Sequence, residues 1–155
     1  MTTTRDRAAE GREVKPGETL IEVDGLTMEY KTKEGRVSAI SNVSFNLKRG
    51  DSLGLVGESG CGKTSVALTL LRLQASNAEI MEGEIRLGGM NLLDLTEEEM
   101  RGHRWSDISM VFQGAMNAWN PVYRIGEQIR EALDLHWPVK LTHEQVRERI
   151  AELFE

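Results

Sequence analysis

The pattern of hydrophobic and polar positions predicts a β-rich opening to the chain. Residues Thr19–Tyr30 and Arg36–Leu47 are rich in strand-forming side chains with partial alternation, and the polar segment between them ends in Gly35. A polar break of this kind between two alternating runs is typical of a β-hairpin. Ser52–Val56 follows as a short apolar run with little alternation, which predicts a strand that is buried on both faces.

Helical periodicity becomes prominent after this opening. Thr96 and Thr142 each stand three residues before a glutamate or a glutamine, the capping-box pattern that marks the start of a helix. The helix that begins at Thr142 is expected to turn four residues inward, namely Val146, Ile150, Leu153 and Phe154. The other predicted elements are a helix that ends at about Gln74, strands at Glu84–Leu87 and Ile108–Gln113, and a helix at Ile125–Leu135. This order favours an α/β fold with an antiparallel piece at the front.

The composition is that of an ordinary soluble globular domain, with 155 residues, 39% of them hydrophobic and 28% charged. The net charge of −6 provides no basic field for nucleic acid or anionic lipid, so we expect no nucleic-acid partner. Cys61 is the single cysteine, which excludes an internal disulfide and fits a reducing compartment.

The first 18 residues are polar and mixed in charge, and we expect them to form a flexible arm rather than a signal peptide. No apolar run approaches the ~18 residues that a membrane-spanning helix needs. We therefore expect a cytoplasmic protein that reaches a membrane only through a partner.

The strongest chemical signal is a glycine-rich segment that matches the pattern G-x-x-x-x-G-K-[ST]. It consists of Gly57, Glu58, Ser59, Gly60, Cys61, Gly62, Lys63 and Thr64, and it is followed by Ser65. Glycine lets the phosphates of a nucleotide approach the main chain, whose N–H groups form an anion nest that continues into the start of a helix. The segment therefore predicts a P-loop, a binding site for ATP with Mg²⁺.

The last side chains of this segment have distinct expected roles. Lys63 supplies a positive charge to the β- and γ-phosphates, and the Thr64 hydroxyl is a hard oxygen ligand for Mg²⁺. Ser65 is expected to add a hydrogen bond to the α-phosphate. The alternative is a flexible glycine loop with an ordinary surface lysine, but a position between a predicted strand and a predicted helix is what nucleotide binding requires.

With an aromatic residue in the front hairpin and a glutamine at the end of a later strand, the chain resembles the nucleotide-binding domain of ABC transporters. In that family an aromatic ring stacks on adenine, which the resemblance assigns to Tyr30. A Q-loop glutamine reaches Mg²⁺ or the attacking water, which the resemblance assigns to Gln113. Taken alone, Tyr30 is also explained as a strand-end tyrosine with a solvated hydroxyl, and Gln113 as a polar strand end.

The resemblance covers about residues 19–155 and implies the P-loop NTPase core of the ABC type. An antiparallel β subdomain and the P-loop would occupy about residues 19–113, and the Q-loop and the start of the helical subdomain about residues 113–155. Val111–Ile129 is similar to the oligopeptide, dipeptide and nickel importer branch. Trp119 replaces a leucine of that branch, and an acidic–proline pair after Gln113 is also replaced, so peptides, oligosaccharides and nickel stay open as cargo.

The partners that the resemblance implies are membrane permease subunits, contacted through the region after Gln113, and a second ABC ATPase subunit. Such a chain would be peripheral on the inner face of the cell membrane. ATP binding would close two such subunits, and hydrolysis would reopen them.

Three catalytic parts of that family have no match in the sequence: the signature, the Walker B carboxylates and the switch histidine. Leu87–Met90 superficially resembles the signature but is interpreted as a turn, and Leu92–Asp94 lacks the glutamate that follows Walker B. His103, His136 and His143 lie in polar helical contexts and are expected to be solvated.

These gaps predict a truncated domain that binds ATP without turnover and is poorly stable alone. Two other interpretations stay open. One is a soluble ABC-type ATPase that acts in translation or DNA repair, and the other is a non-catalytic nucleotide-binding fragment.

Overall fold

The computed structural model describes residues 17–137 and 140–154, apart from the side chains of residues 116 and 117. The strands are β1 (Thr19–Thr32), β2 (Gly35–Lys48), β3 (Ala78–Leu87) and β4 (Met90–Asn91). The helices are α1 (Lys63–Leu70), α2 (Glu97–His103), α3 (Ile125–His136) and α4 (His143–Glu152), with a 3-10 helix at Ala115–Ala118. Of the predicted N-terminal arm, residues 1–16 lie outside the described residues.

The described strands form one antiparallel sheet in the order β2-β1-β3-β4. The predicted hairpin is confirmed. Strands β1 and β2 pair along their length up to Thr32 and Gly35, and a two-residue turn joins these two residues. The predicted strand at Glu84–Leu87 is also present, but it begins earlier, at Ala78, because β3 pairs along most of β1. The turn interpretation of Leu87–Met90 is confirmed by the tight connection from β3 to β4.

A single cluster of buried side chains joins the sheet to two helices. β1 contributes Val23, Leu26 and Met28 to this cluster, while Val66 belongs to α1 and Met100 to α2. Full burial of one such side chain contributes about 1.5–3 kcal/mol, so the cluster is the main source of stability of this part of the chain. It fixes α1, and with it the glycine-rich loop, against β1.

The prediction of a buried strand at Ser52–Val56 is wrong for this structure. The segment forms no strand, and its apolar side chains are exposed, Val56 at 96% of its surface. A strand is buried on both faces only between neighbouring strands and covering helices, and no described strand pairs with this segment.

The prediction of a buried strand at Ile108–Gln113 is also wrong. Ile108 makes one isolated parallel bridge with Arg104, after which the segment continues without regular structure. Val111 is 87% exposed and Phe112 is 52% exposed. As at Ser52–Val56, an apolar run has no strand beside it among the described residues.

Helix α1 is shorter than predicted, because it ends at Leu70 and not near Gln74. Arg72 takes a left-handed conformation with φ of 52°, which stops the helix. Leu73 would share a face with Val66 and Leu70 if the helix continued, but it lies beyond the helix end and is 45% exposed.

Both predicted capping boxes are confirmed. The Thr96 hydroxyl accepts a hydrogen bond from the Glu99 N–H while the Glu99 side chain accepts from the Thr96 N–H, and Thr142 and Gln145 repeat this pattern. In α4 Val146 is buried as predicted, but Leu153 and Phe154 are 58% and 69% exposed because the helix ends before them, at Glu152. The predicted helix at Ile125–Leu135 is α3.

The chain divides into two compact units, one up to Ile108 and one from Ser109. The first holds the sheet, α1 and α2. In the second, α3 and α4 pack against each other, with the Arg149 guanidinium 5.4 Å from the centre of the Trp137 ring.

An ion-pair cluster joins three strands of the first unit. The Glu79 carboxylate on β3 lies 3.1 Å from the Lys31 ammonium on β1 and 2.8 Å from the Arg36 guanidinium on β2. Hydrogen bonds from Lys31 and then Arg36 lower the pKa of the Glu79 carboxyl below its ordinary value. Because the folded-state pKa is the lower one, this stabilisation is complete at neutral pH and is lost as the pH falls through the folded value.

Glu79→Gln is expected to make the free energy of unfolding depend less steeply on pH in the acid range. The change should be seen below about pH 5, where the unfolded glutamate begins to bind a proton. The measurement is the urea midpoint of unfolding as a function of pH. Glu82→Gln is the matched control, since Glu82 is exposed on the same strand and makes no ion pair with any described residue. An unchanged acid slope in Glu79→Gln would contradict the expectation.

Candidate phosphate-binding site

The glycine-rich loop leads directly into the N-terminus of α1. Gly62 is the N-cap, and the first helical hydrogen bond runs from the Val66 N–H to the Gly62 carbonyl over 2.9 Å. The N–H groups of Lys63, Thr64 and Ser65 therefore have no acceptor inside the helix. Three such donors at the positive end of a helix dipole are suited to bind an anion.

Gly62 is required in this loop for a reason that the motif alone does not give, and Gly57 is closely packed against a side chain of the same loop. Gly62 has φ of 93°, and a Cβ there would collide with the backbone carbonyl oxygen of Ala39 on β2. A Cβ on Gly57 would lie 2.6 Å from the Cys61 sulfur. The loop is thus packed against β2 at one end and against itself at the other.

The Lys63 ammonium is turned into the loop. Its Nζ donates to the carbonyl oxygens of Gly57 at 2.8 Å and Glu58 at 2.5 Å, and it lies 3.4 Å from the Cys61 sulfur. These contacts close the loop around one positive charge. The same flexible side chain can exchange neutral carbonyl acceptors for a charged phosphate, with which hydrogen bonds are stronger.

The structure brings Tyr30 to the glycine-rich loop across a large sequence separation. Its hydroxyl lies 3.2 Å from the Ser65 hydroxyl in the first turn of α1, so it is bonded within the protein and not only to solvent. One turn further along, the buried Thr69 hydroxyl donates to the Ser65 carbonyl over 2.7 Å and lies 3.3 Å from the Met28 sulfur. Strand β1 and helix α1 therefore meet through two successive pairs.

Thr64 is the residue that fits a Mg²⁺ carried by a nucleotide. Its side chain is exposed beside Lys63 at the start of α1. Mg²⁺ that arrives with a nucleotide takes most of its ligands from phosphates and water, and needs only one or two protein oxygens. Within residues 17–137 and 140–154, no group of three His, Cys, Asp or Glu side chains could hold a metal.

Gln113 belongs to the second unit. It is exposed in the irregular segment that precedes the 3-10 helix. Its assigned contact with Mg²⁺ or water stays a prediction. Glu58, Ser59, Gly60 and Cys61 are exposed in the glycine-rich loop, as a ligand-binding loop requires.

The expectation that His103 is solvated is wrong, because it is buried, with 7% of its surface exposed. Its Nδ1 lies 2.6 Å from the Asp107 carboxylate, and the Asp107 N–H donates to the His103 carbonyl over 2.9 Å. The chain folds back after α2, and this return covers the imidazole. His143 is exposed as expected, against Arg130.

Sequence reasoning missed two arginines that hold the far end of α1. Arg104 donates to the carbonyls of Leu71 and Arg72, and Arg72 donates to the carbonyls of Leu92 and Leu95. A cation near the last carbonyls of a helix is stabilising. No sequence signal marks this pair, because each acceptor is a main-chain group distant along the chain.

None of the helices in the described part of the chain combines the length and hydropathy that crossing a bilayer requires.

The ABC transporter family profile matches residues 40–155 of the chain. The chain is 50% identical over 119 residues to the dipeptide transport ATP-binding protein DppD of Lactococcus lactis subsp. cremoris, an alignment of 77% of this chain and 34% of that protein. It is 41% identical over 122 residues to the oligopeptide transport ATP-binding protein OppD of Salmonella typhimurium, covering 79% of this chain and 36% of that protein. The chain thus spans about a third of the length of these curated relatives.

The fold is similar to that of a bacterial ABC transporter cassette solved as a dimer. The TM-score is 0.74 at 26% identity, and the match covers 86% of this chain and 55% of the cassette. A post-hydrolysis cassette bound to ADP and Pi gives a TM-score of 0.69 at 23% identity, with the same coverage. The second likeness shows the fold alone.

Proposed function

The chain belongs to the ABC transporter family, and we propose that it binds ATP with Mg²⁺ as part of the energy-coupling subunit of an importer for peptides or related solutes. The observation that carries the proposal is the geometry at the start of α1. Three N–H groups, the Lys63 ammonium and the exposed Thr64 hydroxyl lie together there, with Tyr30 beside them.

Each part of ATP has a suitable group in this arrangement. The triphosphate would lie on the N–H groups of the loop and α1, where Lys63 would leave its carbonyl acceptors for the β- and γ-phosphates. Thr64 would supply a hydroxyl oxygen to Mg²⁺, which neutralises part of the phosphate charge. The Tyr30 ring would stack on adenine, which gives affinity with little selectivity among bases.

The importer assignment is supported by the relatives, which are named for dipeptide and oligopeptide transport. In this role the subunit works on the cytoplasmic face of the membrane, contacts permease subunits through the region after Gln113 and pairs with a second ATPase subunit. The dimeric cassette with the same fold supports the pairing. We infer that these 155 residues bind ATP without turning it over, because no Walker B pair or signature was found in the sequence.

The binding proposal is tested by titrating the purified chain with ATP in the presence and absence of Mg²⁺. We expect saturable binding that Mg²⁺ tightens, and we expect Thr64→Val to remove most of this tightening while it preserves the shape of the side chain. Thr32→Val is the matched control, since Thr32 is exposed at the end of β1 and its hydroxyl donates to the Gly35 carbonyl and not to the glycine-rich loop. Mg²⁺-dependence that is equal in wild type and Thr64→Val would contradict the role of Thr64.

The importer proposal is tested separately from nucleotide binding. Co-purification of the native protein with a membrane permease is expected for an importer subunit. Saturable ATP binding without any permease in the purified native assembly would instead favour a soluble ABC-type ATPase.

A further inference from the structure

The Tyr30 hydroxyl makes a contact that ring stacking on a base does not require. Stacking uses the face of the ring, and phenylalanine has the same face. Yet the Tyr30 oxygen lies 3.2 Å from the Ser65 oxygen, within hydrogen-bonding distance. Tyr30 is half-buried and packs against the core cluster, so its ring has little freedom to place the hydroxyl elsewhere.

The pair Tyr30–Ser65 is one of two side-chain contacts that join β1 to α1. Side chains alternate along a strand, so residues 28 and 30 lie on the same face of β1. Residues 65 and 69 are four apart in a helix, so they lie on the same face of α1. Met28 meets Thr69, and Tyr30 meets Ser65. The fully buried Met28 and Thr69 fix the register of strand against helix, and this register brings the two hydroxyls together.

Ser65 is the third residue of α1, so its N–H has no acceptor inside the helix and its hydroxyl is in the same first turn as the anion-binding N–H groups. A serine hydroxyl rotates freely unless a partner restrains it. A phenolic hydroxyl donates a stronger hydrogen bond than an aliphatic hydroxyl, so Tyr30 is the better donor of the two. When Tyr30 donates to the Ser65 oxygen, the serine proton is left to donate elsewhere.

We propose that the Tyr30 hydroxyl is a positioning group, which holds the Ser65 hydroxyl so that its proton is directed at a phosphate of the bound nucleotide. This inference rests on the proposed binding of ATP at the glycine-rich loop. Tyr30 would then act on both ends of the nucleotide, through its ring on the base and through Ser65 on the phosphates.

A double-mutant cycle tests the coupling of the two hydroxyls. Tyr30→Phe keeps the ring and removes the hydroxyl, and Ser65→Ala removes the hydroxyl that it positions. We expect each change to weaken ATP binding threefold to tenfold, the usual effect of one hydrogen bond. We expect Tyr30→Phe to have no further effect in the Ser65→Ala background. Tyr123→Phe is the matched control, because Tyr123 is exposed in the second unit.

A spectroscopic measurement separates positioning from simple packing. We expect Tyr30→Phe and Ser65→Ala to displace the same phosphorus-31 resonance of bound ATP, with no further displacement in the double variant. Weaker binding with all three resonances unmoved would show that the contact only holds β1 to α1, and would overturn the proposal. Additive losses of affinity would overturn it as well.

Two results of the titration separate the positioning role of Tyr30 from the binding of ATP itself. If wild type shows no saturable ATP binding, the binding proposal itself is wrong and the coupling falls with it. If wild type binds ATP and Tyr30→Phe binds it equally well, only the positioning role is wrong.

Discussion

Lys63→Ala is expected to lower the affinity of the chain for ATP by about 30-fold, the equivalent of about 2 kcal/mol. The Lys63 ammonium hydrogen-bonds to the glycine-rich loop, where it donates to the carbonyls of Gly57 and Glu58. At 4 Å and an effective dielectric near 20, a full charge–charge contact is worth at most ~4 kcal/mol, from which the cost of desolvation is subtracted. Isothermal titration with ATP measures the change.

Lys33→Ala is the matched control for this experiment. Lys33 lies in the turn between β1 and β2 and is exposed, so the variant loses the same charge from the protein without touching the loop. Equal affinities of Lys63→Ala and Lys33→Ala would show that the loop does not bind phosphate. A circular dichroism spectrum of each variant establishes that the fold is kept, since Lys63 also bonds the carbonyls of its own loop.

Gly62→Ala is expected to destabilise the chain by about 2 kcal/mol or more and to abolish measurable tight binding of ATP. A left-handed conformation costs a residue with a Cβ about 1–2 kcal/mol. At Gly62 the added carbon also meets the Ala39 carbonyl, so the loop must move away from β2. Because the same residue caps α1, the N–H groups that would hold phosphate move with it. The measurements are urea unfolding and ATP titration.

Two other glycines provide a graded comparison. Gly60 has φ of 82° with nothing within 4 Å of an added Cβ, so Gly60→Ala should carry the conformational cost without a collision. Gly54 has no positive φ, and nothing lies within 4 Å of a Cβ added there, so Gly54→Ala should hardly change the free energy of unfolding. Any other order than Gly62, Gly60 and Gly54, from largest loss of stability to smallest, would contradict the explanation from backbone packing.

Local features of this chain could be predicted from the sequence because their causes are local. The capping boxes at Thr96 and Thr142 depend on residues three apart, and the hairpin turn on the residues between two strands. The glycine-rich loop was predicted for the same reason, since its spacing and the helix that follows it are contiguous.

The incorrect predictions of burial from the sequence have a common cause, because burial depends on which residues lie beside a segment in space. Ser52–Val56 has the composition of a buried strand, but it has no paired neighbour among the described residues. His103 has polar neighbours along α2, but the return of the chain at Asp107 covers it. The hydroxyl contact of Tyr30 with Ser65 needs the register of β1 against α1, which no spacing in the sequence expresses.

The attachment of α1 to the sheet at Ala39, Met28 and Tyr30 affects the thermodynamics of ligand binding. A loop that a ligand must first organise loses conformational entropy at the moment of binding, and part of the interaction energy is consumed in that ordering. Here the start of the helix is already held by backbone packing and by two side-chain pairs. Calorimetry should therefore find a small entropic penalty for ATP in the wild type and a larger one wherever these attachments are cut.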